Sequence, residues 1–214
     1  MKKVLGVLFT FLCVFCLAAC GGSKEKDSSV IKLGSSGPLS GEASIYGTAV
    51  KKGIELAIEE INSTTGVMVN GEKKTFELVD FVNDEAEAAK AGTALNTLIS
   101  KDVDVVIGAV TSGATEGLIL KAMEYGVPVI TPTGTADKLT VGEKGDERTI
   151  RSNVFRACFY DSYQGEYMAN YAKGEGYDEA YVLFNQDDAY SVGLKNSFEK
   201  TAKALGMNVT CVGY

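Results

Sequence analysis

The chain has 214 residues, a formal net charge of −7 and no histidine. Its acidity argues against binding to nucleic acid or to anionic lipid surfaces. Without histidine it has no Ser-His or Cys-His nucleophile, and a zinc site is not expected. The length suits one large domain or two small ones. We therefore expect a protein without catalysis, cofactor or metal.

The N-terminus reads as a secretory leader. Two lysines and a largely apolar run precede two alanines and Cys20, and the run is shorter than the about 20 apolar residues that a membrane span needs. The ending "LAAC" resembles the bacterial lipobox, which implies cleavage before Cys20 and a lipid on its thiol. We expect a signal peptide over 1–19 and a flexible tether over 20–30. An ordinary signal peptide with an incidental cysteine is the alternative.

The next part of the chain alternates strands and helices. The pattern predicts strands over 31–33, 75–82, 103–110 and 127–131, with helices from about 50 to Gly66, from Asp84 as N-cap to 98, and over 114–125. The nearly continuous apolar run at 103–110 is typical of a strand buried on both faces. This alternation predicts a parallel sheet with helices on both of its faces.

A second, shorter α/β unit is predicted after about residue 160. The pattern gives a crossing strand over 154–160, helices over 162–173 and 191–205, and strands over 180–185 and 208–214. Cys158 and Cys211 lie in this part of the chain. They can pair in an oxidising compartment, but two small buried apolar side chains are the simpler interpretation.

Neutral hydroxyl groups follow several of the predicted strands. Ser112 follows the strand at 103–110, and Thr133, Gly134 and Thr135 follow the strand at 127–131. In an open parallel sheet, ligands bind beyond the carboxyl ends of the strands. None of these side chains is a charged catalytic group, and the chain lacks the glycine patterns of dinucleotide and P-loop sites. The pattern favours a binding site over an active site.

Each of these residues also has an ordinary structural interpretation. Ser112 is placed to cap a helix, although the free N–H groups of the same helix end suit an anionic ligand. The turn at 133–135 can bond its own backbone instead of a ligand. Tyr46 and Tyr190 are either walls of a cleft or surface aromatics. Position alone leaves these alternatives open.

Four segments together resemble a known family. They are "IKLGSSGPLSGEASIYGTAVKKGIELAIEEIN", "VDVVIGAVTSGAT", "GVPVITPTGTADKLT" and "NQDDAYSVGL". In this order and spacing they are similar to the substrate-binding lipoproteins of branched-chain amino-acid ABC transporters, which are type I periplasmic binding proteins. The resemblance implies two Rossmann-like lobes that close on a ligand, here lobe 1 over 31–158 and a partial lobe 2 over 159–214. It implies a C-terminally truncated chain whose second lobe is incomplete.

The resemblance also implies roles for individual residues. Ser112 matches the serine that binds the ligand α-carboxylate, and Thr133 matches the position whose carbonyl receives the α-ammonium. Gly134 is expected to line the cleft, and Thr135 to contribute its hydroxyl and N–H. Tyr46 and Tyr190 match aromatic residues beside the ligand side chain.

The expected function is a lipid-anchored extracytoplasmic receptor that delivers an amino acid to ABC permease subunits. One alternative is a receptor of the same fold for an amide or urea-like solute. Another is a membrane-tethered sensory module without transport, and a soluble hydrolase is the third. The segments that supply an acidic ammonium partner in the family come later than this sequence reaches.

Overall fold

The computed structural model describes residues 29–141 and 150–214. Cys20, the signal peptide and nearly all of the tether lie outside these residues, so the predictions made for them stay predictions. Within the described ranges, no helix has both the length and the apolar character that a membrane crossing requires.

Lobe 1 is built on a six-stranded sheet with the strand order β2-β3-β1-β4-β5-β6. β2 pairs with β3 in the antiparallel direction, and the other neighbouring strands are parallel. In chain order the elements are β1 (Val30–Gly37), α1 (Ser44–Ser63), β2 (Val67–Val69), β3 (Glu72–Asn83), α2 (Ala88–Ile99), β4 (Val105–Ile107), α3 (Ser112–Tyr125), β5 (Val129–Thr131) and β6 (Val154–Arg156).

Lobe 2 contains two helices and a two-stranded parallel sheet. Its elements are α4 (Asp161–Gly174), β7 (Glu179–Phe184), α5 (Ala189–Ala204) and β8 (Asn208–Gly213). The α/β fold class is therefore confirmed. The crossing strand predicted over 154–160 is shorter than expected, because β6 ends at Arg156 and pairs with β5 as the sixth strand of the first sheet.

The sequence analysis did not predict β2, which forms a hairpin with β3. Asn70 and Gly71 connect the two strands with φ angles of 52° and 84°. Two-residue turns with positive φ at both positions match the right-handed twist of the strands, and Asn-Gly is their preferred sequence. The Asn-Gly pair was the signal that could have revealed this hairpin.

Asp84 is not the N-cap of α2, contrary to prediction. The cap position belongs to Glu87, whose side chain makes no capping hydrogen bond. Asp84 is buried where β3 ends, and its carboxylate accepts hydrogen bonds from the Ser36 hydroxyl at 2.7 Å and the Ala86 N–H at 2.9 Å. Burial raises the pKa of this carboxyl group, which these hydrogen bonds partly offset. Asp84 therefore links the ends of β1 and β3.

The core of lobe 1 lies between the sheet and the helices α2 and α3. Leu95, Leu118 and Val106 are fully buried there, and Gly117 lets the two helices approach because a Cβ atom would collide with the Ala88 carbonyl. On the opposite face α1 leaves an apolar cavity of about 500 Å³ beside Val105, Ile107 and Ile130. The prediction that the strand at 103–110 is buried on both faces is therefore wrong.

Lobe 2 has a much smaller core. Its fully or nearly fully buried apolar residues are Ala169, Ala202 and Met207. Every residue of β7 and β8 is at least partly exposed. Cys158 and Cys211 are free thiols of intermediate burial, so the structure does not pair them.

Candidate functional site

An open cleft lies between the strand ends of lobe 1 and the segment 185–192 of lobe 2. Its volume is about 890 Å³. Acidic side chains dominate its charged lining, which consists of Glu42, Glu85, Glu116, Lys138, Asp187 and Asp188. The Lys138 ammonium group is paired with Glu116 at 2.8 Å. The cleft therefore favours ligands that carry a positive charge.

Ser112 is the first residue of α3 and is only 3% exposed. The cap of this helix is Thr111, whose hydroxyl accepts a hydrogen bond from the Ala114 N–H at 3.4 Å. The N-cap interpretation of Ser112 is therefore wrong. Its hydroxyl instead accepts from the Ala136 N–H at 3.2 Å. Thr111 and Gly113, on either side of it, line the cleft.

The turn at 133–135 is hydrogen-bonded to two neighbouring elements. The exposed Thr133 donates its hydroxyl to the Val110 carbonyl at 2.6 Å. Thr135 is 8% exposed, and its carbonyl accepts from the N–H of Asp161 at 3.0 Å. Together with the bond from Ala136 to Ser112, these contacts join the ends of β4 and β5 to the start of α4.

Gly134, the middle residue of this turn, is buried and is not among the residues that line the open cleft, contrary to expectation. A Cβ atom at this position would lie 2.6 Å from the Thr131 hydroxyl oxygen and 2.9 Å from Leu139 Cδ1. Glycine is therefore required by the lack of space. The Gly134 carbonyl accepts from Nη1 of Arg156 at 3.1 Å.

Arg156 stabilises the turn through hydrogen bonds to backbone carbonyl groups. Besides the Gly134 carbonyl, its guanidinium group donates to the Ala136 carbonyl at 2.8 Å. The group also lies 4.2 Å from the centre of the Tyr160 ring, which adds a cation–π interaction. Sequence analysis did not single out Arg156, since a charged residue at the end of a strand gives no signal of this contact.

Both of the predicted tyrosines are exposed near the starts of helices. Tyr46 is 65% exposed in the first turn of α1, and Tyr190 is 36% exposed in the first turn of α5. The Tyr190 hydroxyl accepts from Gln164 Nε2 at 3.4 Å. Neither tyrosine takes part in the hydrogen bonds that join Ser112 to the 133–135 turn. Asp188, two residues before Tyr190, caps α5 by accepting from the Ser191 N–H at 2.9 Å.

Asp161 is the main residue that the sequence analysis missed. It is 1% exposed, and neither carboxylate oxygen has a hydrogen-bond partner among the described residues. Burial is the largest effect and raises the pKa of Asp161 to about 6; Asp137 and Asp188 act in the same direction. The Thr135 hydroxyl and Arg156 lower this pKa, although the hydroxyl does not reach hydrogen-bonding geometry. A titratable, unpaired acid therefore lies beside the turn.

Metal binding finds no support in the described ranges. Residues 29–141 and 150–214 contain no cluster of histidine, cysteine, aspartate or glutamate side chains that could hold a metal ion. The polar groups near the turn are neutral hydroxyls and backbone N–H and carbonyl groups, apart from Arg156 and Asp161.

Comparison with protein families gives the class of the chain. The model of a periplasmic binding protein family matches residues 30–213. The chain belongs to this family. A Leu/Ile/Val-binding protein of Rhizobium johnstonii is 34% identical over 177 residues, which are 83% of this chain and 45% of that protein. The chain spans about half the length of the curated relatives it matches.

Solved structures of this periplasmic binding protein class share the fold. A leucine-binding protein, LivK of Thermotoga maritima, superposes with a TM-score of 0.74 at 31% identity, covering 86% of this chain and 49% of that one. A solute-binding protein of an ABC transporter from Rhodopseudomonas palustris, solved with benzoate, gives 0.73 at 27% identity, with coverages of 86% and 48%. The resemblance drawn from the sequence is thus confirmed at the level of family.

Proposed function

We propose that the chain provides part of an extracytoplasmic receptor that binds a branched-chain or related α-amino acid and delivers it to an ABC permease. This proposal rests on the hydrogen bonds that link Ser112, the 133–135 turn and the start of α4. Receptors of this kind bind and release their ligand unchanged, so the proposal includes no catalysis. The lipid on Cys20 would hold the protein at the outer side of the cell membrane.

The ligand carboxylate is assigned to the start of α3. The first turn of a helix presents N–H groups without intrahelical acceptors and the positive end of the helix dipole. The Ser112 hydroxyl can accept from Ala136 and still donate its own hydrogen to a carboxylate, because a hydroxyl has one donor and two acceptor sites. Thr135 adds its hydroxyl and N–H.

The ligand ammonium group is assigned to the carbonyl of Thr133, which accepts no hydrogen bond from the described residues. Tyr46 and Tyr190 are the proposed walls for the ligand side chain, and Tyr190, which belongs to lobe 2, must approach the turn when the lobes close on the ligand. Gly134, the middle residue of the turn, leaves room for the Thr131 hydroxyl and Leu139. Closure is favoured because a ligand that contacts both lobes binds the closed state more tightly than the open one.

The charge of the cleft favours an amino acid over an aromatic acid. The structural relative with benzoate shows that the class includes a protein that binds a simple carboxylate. Benzoate has no positive pole, and the lining here includes Glu42, Asp187 and Asp188. An acidic entrance repels a monoanion, whereas a zwitterion carries an ammonium group that offsets the repulsion. An amide or urea-like solute remains the alternative within the same fold.

Titration calorimetry with leucine, isoleucine and valine tests the proposal directly. We expect the wild-type chain to bind at least one of them, and Ser112→Ala to weaken that binding by about tenfold or more. A hydrogen bond to a charged group contributes roughly 1.5–3 kcal/mol, and 1.4 kcal/mol corresponds to a factor of ten.

Ser100→Ala is the matched control. Its hydroxyl donates to the Thr97 carbonyl at the C-terminal end of α2, which lies at the other edge of the sheet. The control should bind like the wild type. Undiminished binding by Ser112→Ala would remove Ser112 from the site, and benzoate binding without amino-acid binding would transfer the proposal to aromatic acids.

Transport and sensing are distinguished by the partners of the protein. A receptor for transport should support uptake of the bound amino acid in cells that also contain the permease. A sensory module would bind the amino acid equally well, but removing the protein would leave uptake unchanged. Uptake of radiolabelled leucine by cells with and without the protein therefore separates the two functions.

A further inference from the structure

The first helix of lobe 2 begins without a capping hydrogen bond from the residue at its own cap position. That residue is Tyr160, whose side chain makes no capping contact with α4. The first turn of a helix contains N–H groups without intrahelical acceptors, which a side chain at the cap position normally satisfies. Here the Asp161 N–H donates to the Thr135 carbonyl at 3.0 Å. The Ser162 N–H donates to the Asp137 carboxylate at 3.1 Å. Lobe 1 therefore caps the first helix of lobe 2.

Asp137 is held firmly within lobe 1. It begins a short 3₁₀-helix that ends at Leu139, whose side chain is fully buried in the core of that lobe. The Asp137 carbonyl accepts a hydrogen bond from Nη2 of Arg156 at 3.3 Å. The next residue, Lys138, is paired with Glu116 of α3 at 2.8 Å. The Asp137 carboxylate is therefore presented to lobe 2 from a fixed part of lobe 1.

Ser162, the partner of Asp137, is joined to the second helix of lobe 2. The Ser162 carbonyl accepts a hydrogen bond from the Ser197 hydroxyl of α5 at 2.7 Å. The two helices lie so close that a Cβ atom at Gly165 of α4 would collide with the backbone of α5. Tyr190 lies in the first turn of α5. A shift of Ser162 is therefore expected to move Tyr190 as well.

The space beside this contact is open. A gap of about 440 Å³ lies between the segment 136–138 and α5, and its lining includes Asn196, Ser197 and Lys200. Burial of apolar area is the dominant favourable term in association, and an open gap with polar walls contributes little of it. The hydrogen bond from Ser162 to Asp137 therefore supplies a large share of the contact between the lobes at this point.

We propose that Asp137 is a positioning residue, which holds α4 against lobe 1 and thereby fixes where lobe 2 places Tyr190 over the ligand. This role deepens the proposed function and rests on it. Asp137 is not among the residues that line the cleft, so its effect on the ligand is indirect. Without the bond to Ser162, lobe 2 would spend less time in the orientation that binds. The apparent affinity of a ligand falls in proportion to the population of the binding-competent state.

Titration calorimetry with leucine tests this role through a pair of substitutions at one position. Asp137→Ala removes the acceptor and should weaken binding by about threefold or more, as expected for a lost helix cap. Asp137→Asn keeps an acceptor oxygen and should bind within about twofold of the wild type. The control is Asp178→Ala, which removes an exposed carboxylate paired with Lys173 beyond the other end of α4. The control should bind like the wild type.

Amide hydrogen exchange measured by NMR reports on the hydrogen bond itself, without any ligand. In Asp137→Ala the Ser162 N–H should exchange about threefold faster or more than in the wild type, because its acceptor is gone. In Asp137→Asn its exchange should stay slow. The Ser191 N–H, which donates to Asp188 within lobe 2, is the internal reference and should exchange equally in all three proteins. A general loss of stability would instead accelerate both amides.

The possible results separate the role of Asp137 from the function on which it rests. If the wild-type protein binds none of leucine, isoleucine and valine, the proposed function fails and the role of Asp137 fails with it. If the wild type binds leucine and Asp137→Ala binds it equally well, or Asp137→Asn restores nothing, only the role of Asp137 is overturned. Should Asp137→Ala not fold, the wild type decides: slower exchange of the Ser162 N–H on addition of leucine supports the role, because coupling between two sites is reciprocal, and an unchanged rate contradicts it.

Discussion

The two lobes differ in how much apolar surface each buries in its own core. Lobe 1 buries large aliphatic side chains between its sheet and α2 and α3, including Leu95, Leu98 and Leu118 at 0% exposure. The buried apolar residues of lobe 2 are two alanines and a methionine, Ala169, Ala202 and Met207. Burial of apolar area is the dominant favourable term in folding. Lobe 1 therefore has a large apolar core, whereas lobe 2 has little buried apolar area to stabilise it.

The proposed site includes residues from both lobes. Ser112 and the 133–135 turn belong to the well-packed lobe, and Tyr190 belongs to the weakly packed one. A rigid lobe keeps its binding groups in position before the ligand arrives, which lowers the ordering cost of binding. A second lobe with few buried contacts can open and close at little cost in packing. The following predictions test this division.

The largest effect is expected for a leucine in the core of lobe 1. Leu118→Ala should lower the free energy of unfolding by about 2–5 kcal/mol, since it removes a fully buried side chain and leaves a cavity. Urea denaturation followed by circular dichroism measures this change. A loss below about 1 kcal/mol would mean that the core of lobe 1 is not the main source of stability.

An intermediate effect is expected for the pH dependence that Asp161 imposes. The pKa of its carboxyl group is about 6 in the folded protein against the usual 3.8, so the folded state binds more protons between these values. The contribution of Asp161 to stability should therefore be largest below about pH 4 and be lost as the pH rises to about 6. A shift of about 2 pKa units corresponds to about 3 kcal/mol.

Asp161→Asn should remove that decline. Urea midpoints of the two proteins at pH 4, 5, 6 and 7 give the difference, in which the contributions of other carboxylates largely cancel. The wild-type stability should fall relative to the variant over this range. Parallel curves would show that Asp161 is neither buried nor unpaired in the folded protein.

The smallest effect is expected for the same leucine-to-alanine change in lobe 2. Leu194 of α5 is half-buried and lines an open groove beside Met168 and Phe198. Leu194→Ala should cost about 1 kcal/mol, because a side chain that keeps part of its contact with water loses less transfer free energy. A loss equal to that of Leu118→Ala would remove the distinction between the two lobes.

The order of the elements could be predicted from the sequence because each is mostly a local pattern. The stop at Gly66 is one example: the residue has a φ of 63°, and its N–H bonds the Ile61 carbonyl just after α1 ends. The hairpin at Asn70 and Gly71 could also have been found in this way. By contrast, the open apolar face beside Val105 and Ile107 was not predictable, since a strand's hydrophobicity does not reveal whether a helix covers it.

The candidate site could be predicted in part. That the Ser112 loop and the 133–135 turn meet follows from the parallel sheet, in which neighbouring strands end at the same edge. The hydrogen bonds that their hydroxyls make could not be predicted from the sheet. Thr111 is the N-cap of α3, and the Ser112 hydroxyl instead accepts a hydrogen bond from the Ala136 N–H. Asp161 gave no signal, since an aspartate that opens a helix is usually exposed, and its burial arises only when α5 packs against α4.

The most direct test of the central claim measures recognition of both charged ends of the ligand. Titration calorimetry at pH 7 would compare leucine with leucinamide, whose carboxylate is masked, and with N-acetylleucine, whose ammonium group is masked. The account predicts that leucine binds and that masking either end weakens binding by about tenfold or more. Equal affinities for leucine and either masked compound would contradict it.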